Sequence, residues 1–283
     1  MPSTVRVRVP ATSANLGPGF DALGVALQLA NVVTVRRLAV TSSHDAMAAE
    51  AGAAFFKAAR QRAFAFGWEI DGDVPRSRGL GSSVTVRLGL LHGLNRLAGA
   101  PLDNERLYRL CAELEGHPDN AAPAAFGGFT VARPDGSYQR FRVAPTLRFA
   151  LLIPDFEVRT ADARRVLPKQ IPFPDAVHSA GNAAAVAAAF ASRNYAALRD
   201  CFADDLHQPY RTSLVPGLDK IIAAGVKAGA VGGWLSGSGS TIACLVLDDA
   251  EPVATAMKRA SGFKTAVTAV AAPDNRGVVV KES

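Results

Sequence analysis

Cysteine is scarce in this chain, with three in 283 residues. Cys111, Cys201 and Cys244 are widely separated and form neither a C-x-x-C pair nor a zinc spacing, which points to free, mostly buried thiols in a reducing cytoplasm. Long apolar runs are missing as well. The longest, residues 183–191, is mostly alanine and falls far short of the ~20 residues a membrane span needs. Residues 1–17 hold no apolar segment of the kind a secretory signal carries. No Gly-Lys pair occurs, so a P-loop is excluded, and neither H-E-x-x-H nor G-x-S-x-G is present. Charge of one sign is not concentrated. Lys and Arg number 31 against 25 Asp and Glu, a formal net charge of +6 that mildly favours anionic ligands. The pairs Arg36-Arg37, Arg164-Arg165 and Lys258-Arg259 form no stripe and interleave with no aromatic platform, which argues against a nucleic-acid face.

What is present is the composition of a folded protein. Hydrophobic residues make up 49% and charged residues 20%, so disorder is excluded, and the length suits one large domain or two modest ones. Val5, Val7 and Val9 alternate with Arg6 and Arg8, which predicts a half-buried strand ending at Pro10. Asn15, Gly17, Pro18 and Gly19 supply turn chemistry, and apolar residues from Leu23 to Val35 read as strands of the same sheet. Residues 46–66 have helical composition, and Ile70 leads into a polar loop over residues 71–78. A helix follows Ser83 and stops near Gly99. Another is capped by Asp103, with Leu107, Leu110, Cys111 and Leu114 on one face and Gly116 as its stop. Residues 126–132 and 149–153 read as strands, and the domain boundary falls between them, giving domains 1–146 and 147–283. In the second half, helices are expected over 183–192, 194–204 and 218–228, with strands over 241–247 and 265–271. Strands and helices mixed in both halves predict an α+β class rather than a doubly wound sheet.

Three segments carry chemistry. The first runs through Pro75, Arg76, Ser77, Arg78, Gly79, Leu80, Gly81, Ser82 and Ser83 into Val84, Thr85 and a helix. Its glycines let the backbone approach an anion, the unpaired N–H groups and the dipole of the helix end favour negative charge, and its hydroxyls can bind phosphate or metal. A plain Gly/Ser loop before an ordinary helix fits the spacing equally well. The second packs Glu115, His117, Asp119 and Asn120 into six residues at a helix end. A Mg²⁺ held by phosphates needs only one or two protein oxygens, so Glu115 and a serine hydroxyl suffice; a helix stop with a polar turn is the plainer alternative. The third alternates glycines and hydroxyls from Leu235 to Thr241, either shaping a site or forming a flexible loop. His44, His92, His178 and His207 are scattered and read as structural or surface residues.

With these segments the chain resembles the family of galactokinase, homoserine kinase, mevalonate kinase and phosphomevalonate kinase, the GHMP kinases, which carries an N-terminal first motif, a P-x-x-x-G-L-G-S-S second motif (Pro75 to Ser83 here) and a glycine-rich third motif (Leu235 to Thr241 here) in this order. The first motif of that family is Pro10-Ala-Thr-Ser-Ala-Asn-Leu-Gly-Pro-Gly-Phe-Asp21 here. That string, and Glu115-Gly-His-Pro-Asp-Asn120 followed by Ala-Ala-Pro, are similar to those of the homoserine kinases within the family. The resemblance runs from about Val5 to Val246. It implies an N-terminal domain like the second domain of ribosomal protein S5, which binds nucleotide, and a ferredoxin-like α/β sandwich after it.

The resemblance also implies ATP-dependent phosphorylation of L-homoserine in cytoplasmic threonine biosynthesis, with Mg²⁺ and ATP as cofactors, no nucleic acid or membrane partner, and a homodimer left open. ATP would lie over residues 75–85, with Ser83 and Glu115 as Mg²⁺ ligands. Asp21 and Asn15 would hold the substrate ammonium. Arg164 and Arg211 would hold its carboxylate, for which the guanidinium fork is suited. His117 and Asn120 would sit at the hydroxyl, and Asp119 is the nearest residue for a base, although direct transfer of the proton to phosphate is the simpler expectation. Val84-Thr85-Val86 stands where the family usually has small residues, and residues 40–68 look shorter than usual; both bear on the adenine site. Two alternatives remain. A related kinase acting on an apolar alcohol would have no need of Arg164 and Arg211. A non-catalytic member would have no need of Ser83, Glu115 and Asn120.

Overall fold

Val5, Val7 and Val9 bury one face of the opening strand, β1 (Thr4–Ala14), which pairs along most of its length with β2 (Leu23–Arg37). The computed structural model describes residues 3–40 and 45–282, the side chain of Glu282 excepted; His44 lies outside them. Pro10 does not end β1. The register shifts between Pro10 and Ala11 instead, an irregularity that admits a residue without an N–H, and the strand carries on to Ala14. The turn chemistry falls after it, where Asn15, Leu16, Gly17 and Asp21 all have positive φ.

The α1 helix (Ala46–Ala59) is shorter than its composition suggests, because Arg60 adopts the left-handed conformation and closes it. The segment read as its tail and the following residue Ile70 form a strand, β3 (Phe66–Gly72), on the outer half of β2. Phe66, Trp68 and Ile70 alternate with polar partners, the two-residue period of a strand. Helix α2 (Ser82–Leu97) begins at the glycine segment. Asp103 caps α3 (Asn104–Glu115), its carboxylate accepting from Arg106 N, and Gly116 ends it at φ 80°. A short helix, α4 (Ala121–Phe126), occupies the start of the expected strand, leaving β4 (Phe129–Ala132) and β5 (Tyr138–Phe141).

The second sheet contains β6 (Arg148–Ile153), β7 (Gly232–Leu235), β8 (Ile242–Val246) and β9 (Val267–Ala271), all antiparallel neighbours in the order β7-β8-β6-β9. This is the order of a split β-α-β ferredoxin-like unit. Between the strands lie α5 (Thr160–Arg165), α6 (Phe173–Ser192), α7 (Gln208–Arg211), α8 (Leu218–Lys227) and α9 (Glu251–Ser261). The expected helix over 194–204 is one 3-10 turn, Tyr195–Leu198. The last strand, β10 (Val279–Glu282), pairs with β1, so the chain's end returns to the first sheet, whose order is β10-β1-β2-β4-β5 with β3 on β2.

The two sheets share a core. Phe129 of β4 stacks on Phe190 of α6 with centroids 4.2 Å apart, and Trp234 stacks on Phe202 at 4.9 Å, all four rings buried. This apolar contact, worth about 25 cal/mol for each Å² removed from water, joins the two halves beneath the site. No helix among the described residues is long and apolar enough to cross a membrane.

Candidate active site

The glycine segment, the first motif and the third motif are woven together at the junction of the sheets. Thr12 N donates to Leu80 O at 3.2 Å, Thr241 N to Arg78 O at 3.0 Å, and Ser236 Oγ to Gly79 O at 2.7 Å. Space is the reason for the two glycines. A Cβ on Gly79 would lie 2.1 Å from Ser236 O, and one on Gly81 2.2 Å from Thr12 Oγ1, while φ is +74° and +70°. Gly81 gives α2 no side-chain cap. The first-turn N–H groups of a 16-residue helix therefore face the cavity with the positive end of its dipole.

Two cavities meet here, sharing Ser77, Ser82 and Ser83 as lining residues. The first is lined by Asn15, Asp21, Gly79, Gly81, Val84, Glu115, His117, Asp119, Asn120, Arg164 and Arg211. The second has an apolar wall of Met47, Trp68, Ile70 and Val86, with Arg76 at its rim. Several segment residues expected at the nucleotide line neither cavity. Leu80 is fully buried in the shared core. Thr85 is buried, its hydroxyl donating to Ser82 O at 2.7 Å and accepting from Asn31 Nδ2 at 2.9 Å. Arg78 turns to Pro154 O at 3.0 Å, with Asp155 and Glu157 each at 3.5 Å, and Pro75 is also off both linings. Of the bulk that departs from the family pattern, Val84 and Thr85 are buried, while Val86 stands on the wall of the second cavity.

At the junction Ser83 Oγ donates to Glu115 Oε2 at 2.9 Å. A hydroxyl and a carboxylate are hard oxygen donors, and with phosphate oxygens they make a donor set that fits Mg²⁺. Glu115 Oε1 is held by Arg87 Nη1 at 2.6 Å. Burial opposes the Arg87 charge, but Glu115 and Glu50 outweigh it and raise the guanidinium pKa.

Beyond Glu115 the chain turns back through His117, Asp119 and Asn120. Asp119 is buried, and its Oδ1 accepts from Asn120 N at 2.9 Å and contacts His117 Nδ1 at 2.7 Å. Burial works against the His117 charge, but the hydrogen bond and charge of Asp119, with Asp21 behind them, raise its pKa. Thr12 Oγ1 donates to Asn120 Oδ1 at 2.7 Å and fixes the amide plane. Asp21, His117 and Asp119 bring one ligand-type atom each within 4.8 Å of one another. That makes this corner acidic and suited to a cation.

Two arginines adjoin this acidic corner. Arg164 Nη2 meets Asp21 Oδ1 at 2.7 Å. Arg211 is buried, donating from Nε to Ala163 O and from Nη1 to Gly237 O, each at 3.1 Å. Burial, and then the neighbouring Arg164, pull the Arg211 pKa down to about 10, which leaves it charged at neutral pH. Burial pulls His207 down to about 4. The neutral ring donates from Nε2 to Gly17 O at 2.8 Å and accepts from Arg211 Nη1 at Nδ1, 3.2 Å away, since a carbonyl only accepts and a guanidinium only donates. His207 is thus a buried structural histidine that aims Arg211.

Sequence reasoning missed Phe20, whose ring lies 5.4 Å from the Arg164 guanidinium carbon and 5.2 Å from that of Arg211, a cation–π platform for both. It also missed Arg159 and Thr160, which open α5 and line the cavity. Their signal was the polar start of a short helix, too weak to single out. Of the third motif, Gly237 and Ser238 line the cavity, and Gly237 O also accepts from Asn15 Nδ2 at 3.0 Å.

Residues 40–128 match the GHMP kinases N terminal domain and residues 186–262 the GHMP kinases C terminal domain. The chain belongs to the GHMP kinase family and is a kinase. Its relatives include a homoserine kinase of Caldicellulosiruptor bescii, 41% identical over 263 residues that cover 87% of this chain and 86% of that one. Another, from Halothermothrix orenii, is 37% identical over 300 residues covering 97% and 96%. The crystal structure of homoserine kinase from Cytophaga hutchinsonii superposes with a TM-score of 0.89 at 27% identity, covering 99% of this chain and 98% of that one.

Proposed function

We propose that this kinase transfers the γ-phosphoryl group of ATP to the side-chain hydroxyl of L-homoserine, forming ADP and O-phospho-L-homoserine on the cytoplasmic route to threonine. The observation that carries the reading is the polarity of the first cavity. Asp21 and Asn15 line it together with the guanidiniums of Arg164 and Arg211, beside the phosphate segment, and Asp21 and Arg164 pair with each other at 2.7 Å. An α-amino acid zwitterion has the matching ends, ammonium to Asp21 and carboxylate to the guanidiniums. Its hydroxyl then points at Asn120 and His117. The second cavity, with Trp68, Met47 and Ile70, suits an adenine ring, and the open N-terminal turn of α2 suits the phosphates between.

Ser83 and Glu115 would hold Mg²⁺, which would supply positive charge to offset that of the phosphates. The hydroxyl oxygen attacks the γ-phosphorus as the bond to the β–γ bridging oxygen breaks, and the proton passes to the transferred phosphoryl group. The transition state is largely dissociative, so orientation by Asn120 and His117 matters more than a strong base. Asp119 supports that orientation, with Oδ1 already engaged by Asn120 N and His117.

The substrate reading is tested by ADP release with L-homoserine, D-homoserine, L-threonine, L-serine, mevalonate and galactose. L-Homoserine is expected to give the highest kcat/KM, and a higher value for mevalonate or galactose would reject the reading. The proton route is tested separately. Asp119→Asn is expected to lose less than about a hundredfold in kcat, whereas Asn120→Ala loses more, because general-base catalysis contributes ~10²–10⁴-fold where it operates. A loss above about a thousandfold in Asp119→Asn, with the circular dichroism unchanged, would make Asp119 the base.

A further inference from the structure

Glu115 sits between two partners, and each takes a different oxygen. Ser83 Oγ donates to Oε2, and Arg87 Nη1 holds Oε1. Arg87 lies four residues after Ser83 on α2, so both side chains leave the same helix face. Its other nitrogen, Nη2, reaches Glu50 Oε2 of α1 at 2.8 Å. The Glu115 and Arg87 side chains are 8% and 14% exposed, and that of Glu50 is 51% exposed. A shielded, charge-assisted contact of this kind fixes direction as well as charge. The two bonds leave Arg87 shared between a buried acid at the kinase site and an acid at the surface.

We propose that Arg87 is the positioning residue of the divalent-cation site. It occupies Oε1, so that Glu115 offers a cation one oxygen, Oε2, on the Ser83 side. Its charge also lowers the cation affinity, because a guanidinium beside the carboxylate repels a second positive charge in a poorly hydrated corner. What the site gains is a fixed direction for the bound cation, and small misplacements at a reacting centre are costly in rate. Glu50 draws part of the Arg87 charge toward the surface. The proposal rests on the reading of Glu115 as a metal ligand.

The test uses Mn²⁺ titrated into the full chain with saturating ADP, free Mn²⁺ being read by electron paramagnetic resonance. Glu115→Gln is the control: parental Mn²⁺ affinity in that variant overturns the ligand assignment itself. With the assignment standing, Arg87→Met is expected to bind Mn²⁺ about tenfold more tightly, because a repelling charge is gone. Its kcat at saturating Mg²⁺, ATP and homoserine falls by about tenfold or more through lost orientation. Its affinity for ADP without metal stays within about twofold, since Arg87 is directed at carboxylates and not at phosphate. Unchanged or weaker Mn²⁺ binding makes Arg87 merely structural, and weakened metal-free ADP binding makes it a phosphate ligand; either result overturns the proposal. Glu50→Gln keeps the test decisive if Arg87→Met does not fold, because Glu50 is exposed. There the sign reverses: Arg87 is left wholly to Glu115, and Mn²⁺ binds about two- to threefold more weakly, in line with the small worth of an exposed pair. Unchanged or tighter binding in Glu50→Gln overturns the proposal.

Discussion

Glu115→Gln is expected to lower kcat by about a hundredfold or more at saturating ATP and homoserine, because electrostatic stabilisation of a transferring phosphoryl group is usually worth several kcal/mol. The substitution keeps the side-chain shape and removes the negative charge; its one amide oxygen can still accept from Arg87 while its NH2 donates to the Ser83 hydroxyl oxygen. The loss should therefore concentrate in turnover and in the Mg²⁺ concentration needed for half-maximal rate. One structural cost accompanies it. Arg87, 14% exposed, loses a charged partner at 2.6 Å but retains Glu50 at 2.8 Å, so the cation is not left alone. Losing one half of such a pair destabilises, which makes a melting curve part of the experiment. The expected pattern is a modest fall in melting temperature, a circular dichroism spectrum like the parent's and a large fall in kcat. Near-normal turnover at low Mg²⁺ would remove Glu115 from the metal site.

The local parts of this molecule were legible from its sequence, and the distant ones were legible only through resemblance. Asp103 and Gly116 bound α3 at both ends, because a cap and a left-handed stop act within one turn. The strand period of Val5, Val7 and Val9 is equally local. Helix α1 misled because its stop is Arg60, whose left-handed conformation no turn residue announces. Helix α9 went unread although Pro252 opens it, Val253, Ala254 and Met257 are its buried residues, and Gly262 closes it; the signals were present but spread among polar and small residues. The return of β10 to β1 carries no local signal at all.

The site divides in the same way. Glycine and serine spacing located the phosphate segment, but Thr12 meets Asn120 across 108 residues and Asn15 meets Gly237 across 222. No periodicity reports on such contacts. Arg164 and Arg211 stand in no motif of the sequence, and only the resemblance supplied their role. Leu80 and Thr85 show the converse error, since residues inside a binding motif need not face the ligand. Their side chains are fully buried, and the backbone around them shapes the site.

Removing the arginines separates two kinds of contribution to substrate binding. Arg164→Ala and Arg211→Ala are each expected to lower kcat/KM for homoserine by ~2–4 kcal/mol, about 30- to 1,000-fold, the range for truncating one partner of a buried charged contact. The KM for ATP should change far less, because neither guanidinium lines the second cavity. The two variants should differ in a way the geometry dictates. The Arg164 side chain is 39% exposed and pairs with Asp21 at 2.7 Å, so the groups meant for opposite ends of the zwitterion hold each other when no substrate separates them. Deleting Arg164 frees Asp21 for the ammonium, which offsets part of the loss and puts this variant at the low end of the range. Arg211 is 2% exposed and donates to Ala163 O, Gly237 O and His207 Nδ1. Its deletion takes a side-chain donor from Ala163 O, at about 1–3 kcal/mol where no water replaces it, while Gly237 O keeps Asn15 Nδ2. Arg211→Ala should therefore lose both homoserine use, at the high end, and melting temperature, while Arg164→Ala loses homoserine use with little change in melting. The measurement is kcat/KM for homoserine and KM for ATP in both variants, beside thermal melts. A loss confined to the KM for ATP would move that arginine to the nucleotide, and with it the carboxylate end of the substrate would need another partner, for which Arg159 at the start of α5 also lines the same cavity.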